Sequence, residues 1–204
     1  MQVNFQWIGG ATFTLSIGDL KIAVDPVLCP RGTVQDYFWF KSKRIEAPVY
    51  DENTFKDVDL WLITHNHEDH LDELGLAAIS NDAQVISNNN SSRKLGEKGV
   101  KDLKVLDWGE TQTYNLKGYE IKVEAVAAIH GVNPLSAFFA GKVNGYFIEI
   151  RKDEAQFCAY ITGDTVYKKW IQKRLIGREI DLLVPNMGAA KAGSWIMTLT
   201  LNAK

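Results

Sequence analysis

The chain has 204 residues, 46% of them hydrophobic and 24% charged, which is the makeup of an ordinary globular domain and excludes a disordered tail, a collagen-like rod and a coiled coil. Its 23 Lys and Arg against 25 Asp and Glu leave a net charge of −2, with no basic excess to hold nucleic acid through phosphate contacts. Cys29 and Cys158 lie far apart and form no Cys-x-x-Cys pair, so they read as packing residues in a reducing, cytoplasmic setting rather than a disulfide framework. No basic leader with an apolar stretch opens the sequence, and no run of 18 apolar residues occurs, so neither a signal peptide nor a membrane span is expected. Length favours one domain over residues 1–204, large enough to bury about 70% of its unfolded surface without disulfide staples.

Residues 2–8, 11–17 and 20–25 are rich in Val, Ile, Phe, Thr and Leu, and Gly9-Gly10 and Gly18-Asp19 punctuate them, which predicts a β-meander. Asp25-Pro26 ends the third strand, because proline cannot donate to a ladder. From Pro26 to about Asp57 no period holds. That stretch reads as a long loop carrying the aromatic run Tyr37-Phe38-Trp39-Phe40, and long loops in compact domains are usually functional. Lys41, Lys43 and Arg44 read as a solvated charge run, with an anionic substrate as the second reading. Leu60–Ile63 is a continuous apolar run that suits a buried strand. Leu71–Ser80 has helical spacing, Gln84–Ser87 reads as a strand, and a helix runs from Ser91/Ser92 to Lys98 with Gly99 past its end.

Residues 103–106, 110–115 and 119–127 then read as strands, with Trp108-Gly109-Glu110 a turn. Tyr146–Ile150 and Phe157–Ile161 are strands around a charged turn at residues 151–154. Thr165–Leu175 reads as a helix, residues 181–184 as a strand and Ile196–Ala203 as the start of a helix. Strands first, then helices interleaved with strands, give an α/β or α+β layered domain.

Three of the four histidines fall in Thr64-His65-Asn66-His67-Glu68-Asp69-His70, directly after an apolar strand. Neutral imidazole and carboxylate are the donors that zinc and similar divalent ions accept at about 2.0–2.2 Å. In an extended loop the alternating His65 and His67 point to one side, and Asp69 and His70 turn beside them. The competing reading is a solvated polar loop ahead of a helix. His130 ends an alternating strand. Alone it would read as structural, but a site with two histidines needs a third donor and His130 is the one that remains. Asp164, in Thr162-Gly163-Asp164-Thr165, is on its chemistry either a helix N-cap or a carboxylate bridging two cations about 3.5–4 Å apart.

Taken together, Ile8-Gly9-Gly10-Ala11-Thr12-Phe13, Asp25-Pro26, Thr64 to Asp72, His130-Gly131, Gly163-Asp164-Thr165 and Met187-Gly188-Ala189-Ala190 resemble the metallo-β-lactamase superfamily of metal-dependent hydrolases, in family order over nearly the whole chain. The arrangement is most similar to the branch with sugar-acid lactonases and N-acyl-phosphatidylethanolamine phospholipases D. The resemblance implies a four-layer αββα sandwich with metals at one edge. It implies that His65, His67 and His130 hold a first metal, that Asp69 and His70 serve a second, that Asp164 bridges, and that Asp25 orients a ligating histidine. Asp69 and Asp164 are thereby the catalytic carboxylates, acting on a metal-activated water. Zinc, one or two ions, is the default, with manganese or iron fitting the same donors.

Relatives carry a last histidine on a strand beyond the Met187–Ala190 region, and no histidine follows His130 here. The expectation is therefore a filled first position, a partial or vacant second one, weak turnover and a tendency to form homo-oligomers. The leading function is hydrolysis of an ester, lactone or phosphodiester in a small molecule. The alternatives are a metal-binding member with lost turnover and a nuclease, the latter disfavoured by charge. A two-iron oxidoreductase is disfavoured because those relatives carry a carboxylate where this chain has His67. Phe38, Trp39 and Phe40 are candidates for an aromatic lid, with plain packing under the long loop as the competing reading. Phe138 and Phe139, within Pro134 to Gly141, read equally as a pocket wall or as core packing.

Overall fold

The computed structural model describes residues 1–36, 41–131, 141–187, 191–192, 197–198 and 201, in two compact units, Met1–Val105 and Leu106–Lys204. The first unit runs β1 (Val3–Gly9), β2 (Thr12–Ile17), β3 (Leu20–Val24), β4 (Val34–Asp36), β5 (Lys41–Lys43), β6 (Leu60–Leu62), α1 (Glu73–Ala78), β7 (Gln84–Ser87), α2 (Asn89–Lys98) and β8 (Asp102–Val105). Its six-stranded sheet has the order β1-β2-β3-β6-β7-β8. The expected meander forms the antiparallel half, and β3, β6, β7 and β8 run parallel. Parallel neighbours need crossover connections, which α1 and α2 supply after β6 and β7. A strand inside such a sheet is covered on both faces, so Leu60, Trp61, Leu62 and Ile63 are all buried rather than alternating. Trp61 and Ile63 join Leu71, Ile79, Val85 and Leu95 in one apolar cluster.

Four departures from the sequence reading lie in this unit. The stretch after Pro26 holds a small hairpin, β4 paired with β5 from Val34–Lys43 to Asp36–Lys41, in strands too short to show a period. Arg44 is not part of a solvated run. Its guanidinium donates from Nη1 to the Val27 carbonyl (3.1 Å) and from Nε to the Glu46 carbonyl (3.0 Å), which clamps the hairpin base, whereas Lys41 and Lys43 are exposed. Helix α1 is shorter than Leu71–Ser80, because Asp72 stays extended (φ −89°, ψ 172°) and caps it by accepting from Gly75 N–H at 2.6 Å. Helix α2 begins earlier than expected for the same reason. Asn88 caps it through Ser91 N–H (2.9 Å), and Gly99 closes it at φ 92°, as expected.

The second unit runs β9 (Thr111–Leu116), β10 (Tyr119–Ala128), β11 (Val143–Lys152), β12 (Ala155–Ile161), α3 (Lys169–Leu175), β13 (Leu182–Val184), β14 (Lys191–Ala192) and β15 (Met197–Thr198). Its main sheet has the order β13-β12-β11-β10-β9, antiparallel except for β12 with β13. The helix expected over Thr165–Leu175 starts only at Lys169. The preceding residues are stitched to the chain after β10: Ile129 N–H donates to Thr165 Oγ1 (3.0 Å) and Val166 N–H to the Ile129 carbonyl (2.9 Å). Those bonds hold Thr165 and Val166 outside the helix. Met197–Thr198, expected in a helix, pairs instead with Lys191–Ala192 as a strand. Met197, Leu199 and Leu201 alternate with Thr198 and Thr200, a period of two that the sequence reading passed over. Among the described residues no helix is long and apolar enough to cross a membrane.

Helix α1 packs so closely on the chain after β3 that a Cβ on Gly75 would lie 1.8 Å from the Pro26 carbonyl oxygen. Helix propensity alone favours Ala over Gly by about 1 kcal/mol. Gly75→Ala should nevertheless destabilise the protein, by about 1–3 kcal/mol as other overpacked sites do, in chemical denaturation. Cys29 and Cys158 are buried free thiols, as the sequence suggested, and burial pushes both above the usual thiol range. Thiolate is the reactive form, so a disulfide reagent at pH 8 should modify both rapidly only after unfolding.

Candidate metal centre

Strands β3, β6 and β7 are parallel neighbours, so their C-terminal ends share one edge of the first sheet, the edge where open α/β sheets place ligands. Each is followed there by buried polar residues: Asp25 after β3, Thr64 and His65 after β6, Asn88 after β7. Asp25 takes a positive φ of 43°, a strained conformation for a residue with a Cβ, while its N–H donates to the Leu62 carbonyl at 3.1 Å. That backbone turns its carboxylate onto the histidine loop. Oδ1 accepts from Thr64 N–H (2.7 Å), and Oδ2 accepts from the Thr64 hydroxyl (2.6 Å) and His70 Nδ1 (2.7 Å). Burial pushes the Asp25 carboxyl above its usual range, against the opposing pull of His70 and the Thr64 bonds.

The loop itself folds back in a tight turn, with His70 N–H and Leu71 N–H both donating to the His67 carbonyl (2.9 and 2.8 Å). Asn88 Nδ2 donates to the Thr64 carbonyl (2.8 Å), and Gln35 Nε2 to that of Glu68 (2.7 Å), which pins the loop from β7 and β4. The turn brings the His65 and His70 ring centroids to 4.0 Å, and His65 and His67 to 4.5 Å. His65 Nε2 and His67 Nδ1 lie 3.1 Å apart. Two nitrogens bound to one tetrahedral ion at about 2.0 Å would be roughly 3.3 Å apart, so the spacing suits a shared metal. Donor atoms of His65, Asp69 and His70 also fall within 4.8 Å of one another, with Asp69 exposed. Three imidazoles and a carboxylate are a donor set that zinc, manganese or iron accepts.

The second unit assembles its own cluster by the same rule. Strands β10 and β12 both run antiparallel to β11, and β13 runs parallel to β12, so these three end at one edge. His130, Asp164 and Asn186 follow those ends. His130 Nε2 lies 3.1 Å from Asp164 Oδ2, with both side chains buried. Asn186 Nδ2 donates to Asp164 Oδ1, while its own N–H is held by Thr162 Oγ1 (2.9 Å). The turn needs Gly163, at φ 58°, because a Cβ there would sit 2.7 Å from the Asn144 carbonyl oxygen. Helix α3 starts five residues after Asp164, so the N-cap reading of this carboxylate is removed.

Thr64, Asn88 and Asn186 were missed by sequence reasoning. Their one signal is a polar residue placed just beyond an apolar strand. Tyr37, Phe38, Trp39, Phe40, Phe138 and Phe139, the lid and pocket candidates, lie outside the described residues.

A family model described as "Beta-lactamase superfamily domain" matches residues 21–202. A UPF0173 metal-dependent hydrolase of Christiangramia forsetii is 26% identical over 188 residues, covering 92% of this chain and 73% of the relative. The N-acyl-phosphatidylethanolamine-hydrolyzing phospholipase D 1 of Caenorhabditis elegans is 25% identical over 132 residues, covering 61% of this chain and 36% of the phospholipase. Among solved structures, a possible metal-dependent hydrolase from Veillonella parvula superposes with a TM-score of 0.81 at 21% identity, over 99% of this chain and 78% of that one, a likeness of fold. The α/β, metallo-β-lactamase-like class expected from the sequence is thus borne out, and the chain belongs to the beta-lactamase superfamily, among its metal-dependent hydrolases.

Proposed function

We propose that this chain, acting as one domain, hydrolyses an ester, lactone or phosphodiester bond in a small molecule, with zinc as its metal. The proposed donors are His65, His67 and His130 for one ion, Asp69 and His70 for a second, and Asp164 as the bridging carboxylate. The observation that carries the reading is the 3.1 Å approach of His65 Nε2 to His67 Nδ1, beside the His65, Asp69 and His70 donors, in a chain of this superfamily. The phospholipase D relative, by its name, lends support to the phosphodiester option.

When bound, the metal supplies Lewis-acid polarisation of the scissile group and lowers the pKa of a coordinated water towards about 7. The chain's own residues do the rest. Asp69, the exposed carboxylate of the loop, would orient the attacking water or shuttle its proton. Asp25 fixes the ring of His70, as carboxylates behind ligating histidines do. Asn186 and His130 hold the two oxygens of Asp164 in one orientation.

The purified protein should contain zinc or accept it, and should cleave at least one of a p-nitrophenyl ester, a γ-lactone or bis(p-nitrophenyl) phosphate. Chelation should abolish that activity, and added zinc should restore it. Activity that survives exhaustive chelation undiminished would refute the metal reading. Metal at about 100 times its Kd adds about 2.7 kcal/mol to the folded state. Chelation should therefore also lower Tm, and His65→Ala and His70→Ala should each shrink that metal-dependent shift.

A further inference from the structure

Thr64 stands at the centre of the first unit's cluster with no role assigned so far, fully buried between two histidines and a carboxylate. Its hydroxyl oxygen lies 2.6 Å from Asp25 Oδ2, 3.0 Å from His65 Nδ1 and 3.2 Å from His70 Nδ1. A hydroxyl has one proton to give and two lone pairs to receive. An ionised carboxylate has no proton to give, so Asp25 accepts from the Thr64 N–H at Oδ1 and from both the Thr64 hydroxyl and His70 Nδ1 at Oδ2. The hydroxyl proton therefore goes to Asp25, and the hydroxyl oxygen can only accept from His65. This assigns the proton of His65 to Nδ1 and makes Nε2, the atom 3.1 Å from His67, its lone-pair nitrogen. Asp25 Oδ2 assigns the Nδ1 proton of His70 in the same way.

We infer that Thr64 is a positioning residue that joins both histidines to one carboxylate, so that Asp25 sets the tautomer of His70 directly and that of His65 through the Thr64 hydroxyl. The two imidazoles are then not independent, because they share Oδ2 of a single buried group. A metal bound to His65 and one bound to His70 would each strengthen the bonds that pre-arrange the other. The tautomer assignment stands by itself, and only its consequence for zinc rests on the function proposed above.

The test uses the full chain, first free of metal and with 15N-labelled histidine. In the wild type, His65 and His70 should both give the nitrogen shifts of the Nδ1–H tautomer. Thr64→Val should turn His65 into a mixture while His70 keeps its tautomer, Thr64→Ser should restore His65, and Asp25→Asn should disturb both. Zinc titration should then show Thr64→Val binding about 10–100-fold more weakly, the usual cost of losing an outer partner of a ligating histidine, with Thr64→Ser close to wild type. A wild-type His65 found as the Nε2–H tautomer, or a His65 spectrum indifferent to Thr64→Val, would overturn the relay. Should Thr64→Val fail to fold, the wild-type and Thr64→Ser spectra still decide it. The expected tautomers in a wild type that binds no zinc would uphold the relay and sink the hydrolase reading instead.

Discussion

A buried carboxylate has to be answered by donors, and in the first unit nearly everything at the site follows from how Asp25 is answered. Its side chain is 2% exposed, in a backbone conformation that an L residue adopts only under constraint. Removal of a charge from water costs several kcal/mol unless polar partners replace the lost hydration. The partners come from Thr64 and His70, 39 and 45 residues further along the chain. They reach Asp25 because β3 and β6 are parallel neighbours ending at the same edge. Sheet topology thus comes first, and the conformation of the histidine loop is what satisfies the carboxylate that this topology buries.

The second unit meets the same demand with different means. Asp164 is 3% exposed, and its partners His130 and Asn186 also stand just past strands that end together. Here the edge belongs to a mostly antiparallel sheet, so the shared direction arises from alternate strands, β10 and β12, with β13 added in parallel. The tie between residue 129 and residues 165–166 keeps the chain just after Asp164 out of a helix, which is delayed until Lys169. A helix begun at Thr165 would have given Asp164 the ordinary work of an N-cap.

The sequence made the strands legible wherever a local period or a continuous apolar run existed, as in the meander and in Leu60–Ile63. It made the histidine cluster legible because ligand chemistry is concentrated in six consecutive residues. It hid whatever depends on partners distant in the chain. Arg44 looked like a surface charge, yet its partners are the carbonyls of Val27 and Glu46. Thr64, Asn88 and Asn186 carry no periodic signal, and their importance lies in which strand ends adjoin theirs. Asp164 was ambiguous because Gly-Asp-Thr after a strand fits a helix cap and a metal bridge equally well until the hydrogen bonds of Thr165 are known.

The closeness of α1 to Pro26 has a meaning beyond packing. Asp72 accepts from Gly75 N–H with one oxygen and from Cys29 N–H with the other, at 2.6 Å each, so the cap of α1 is tied to the same post-β3 segment that carries Asp25 and Pro26. Gly75 then lets the helix rest against the Pro26 carbonyl, where any side chain would intrude. His70 stands two residues before that cap and is held by Asp25, one residue before Pro26. The Asp25–Pro26 pair is therefore gripped twice, by the histidine loop on one side and by the start of α1 on the other. A shift of α1 by even a few tenths of an ångström would be passed to the Asp25–His70 bond, because close-packed interiors transmit strain rather than absorb it. The small residue at position 75 belongs to the machinery that aims His70, although it touches no donor atom.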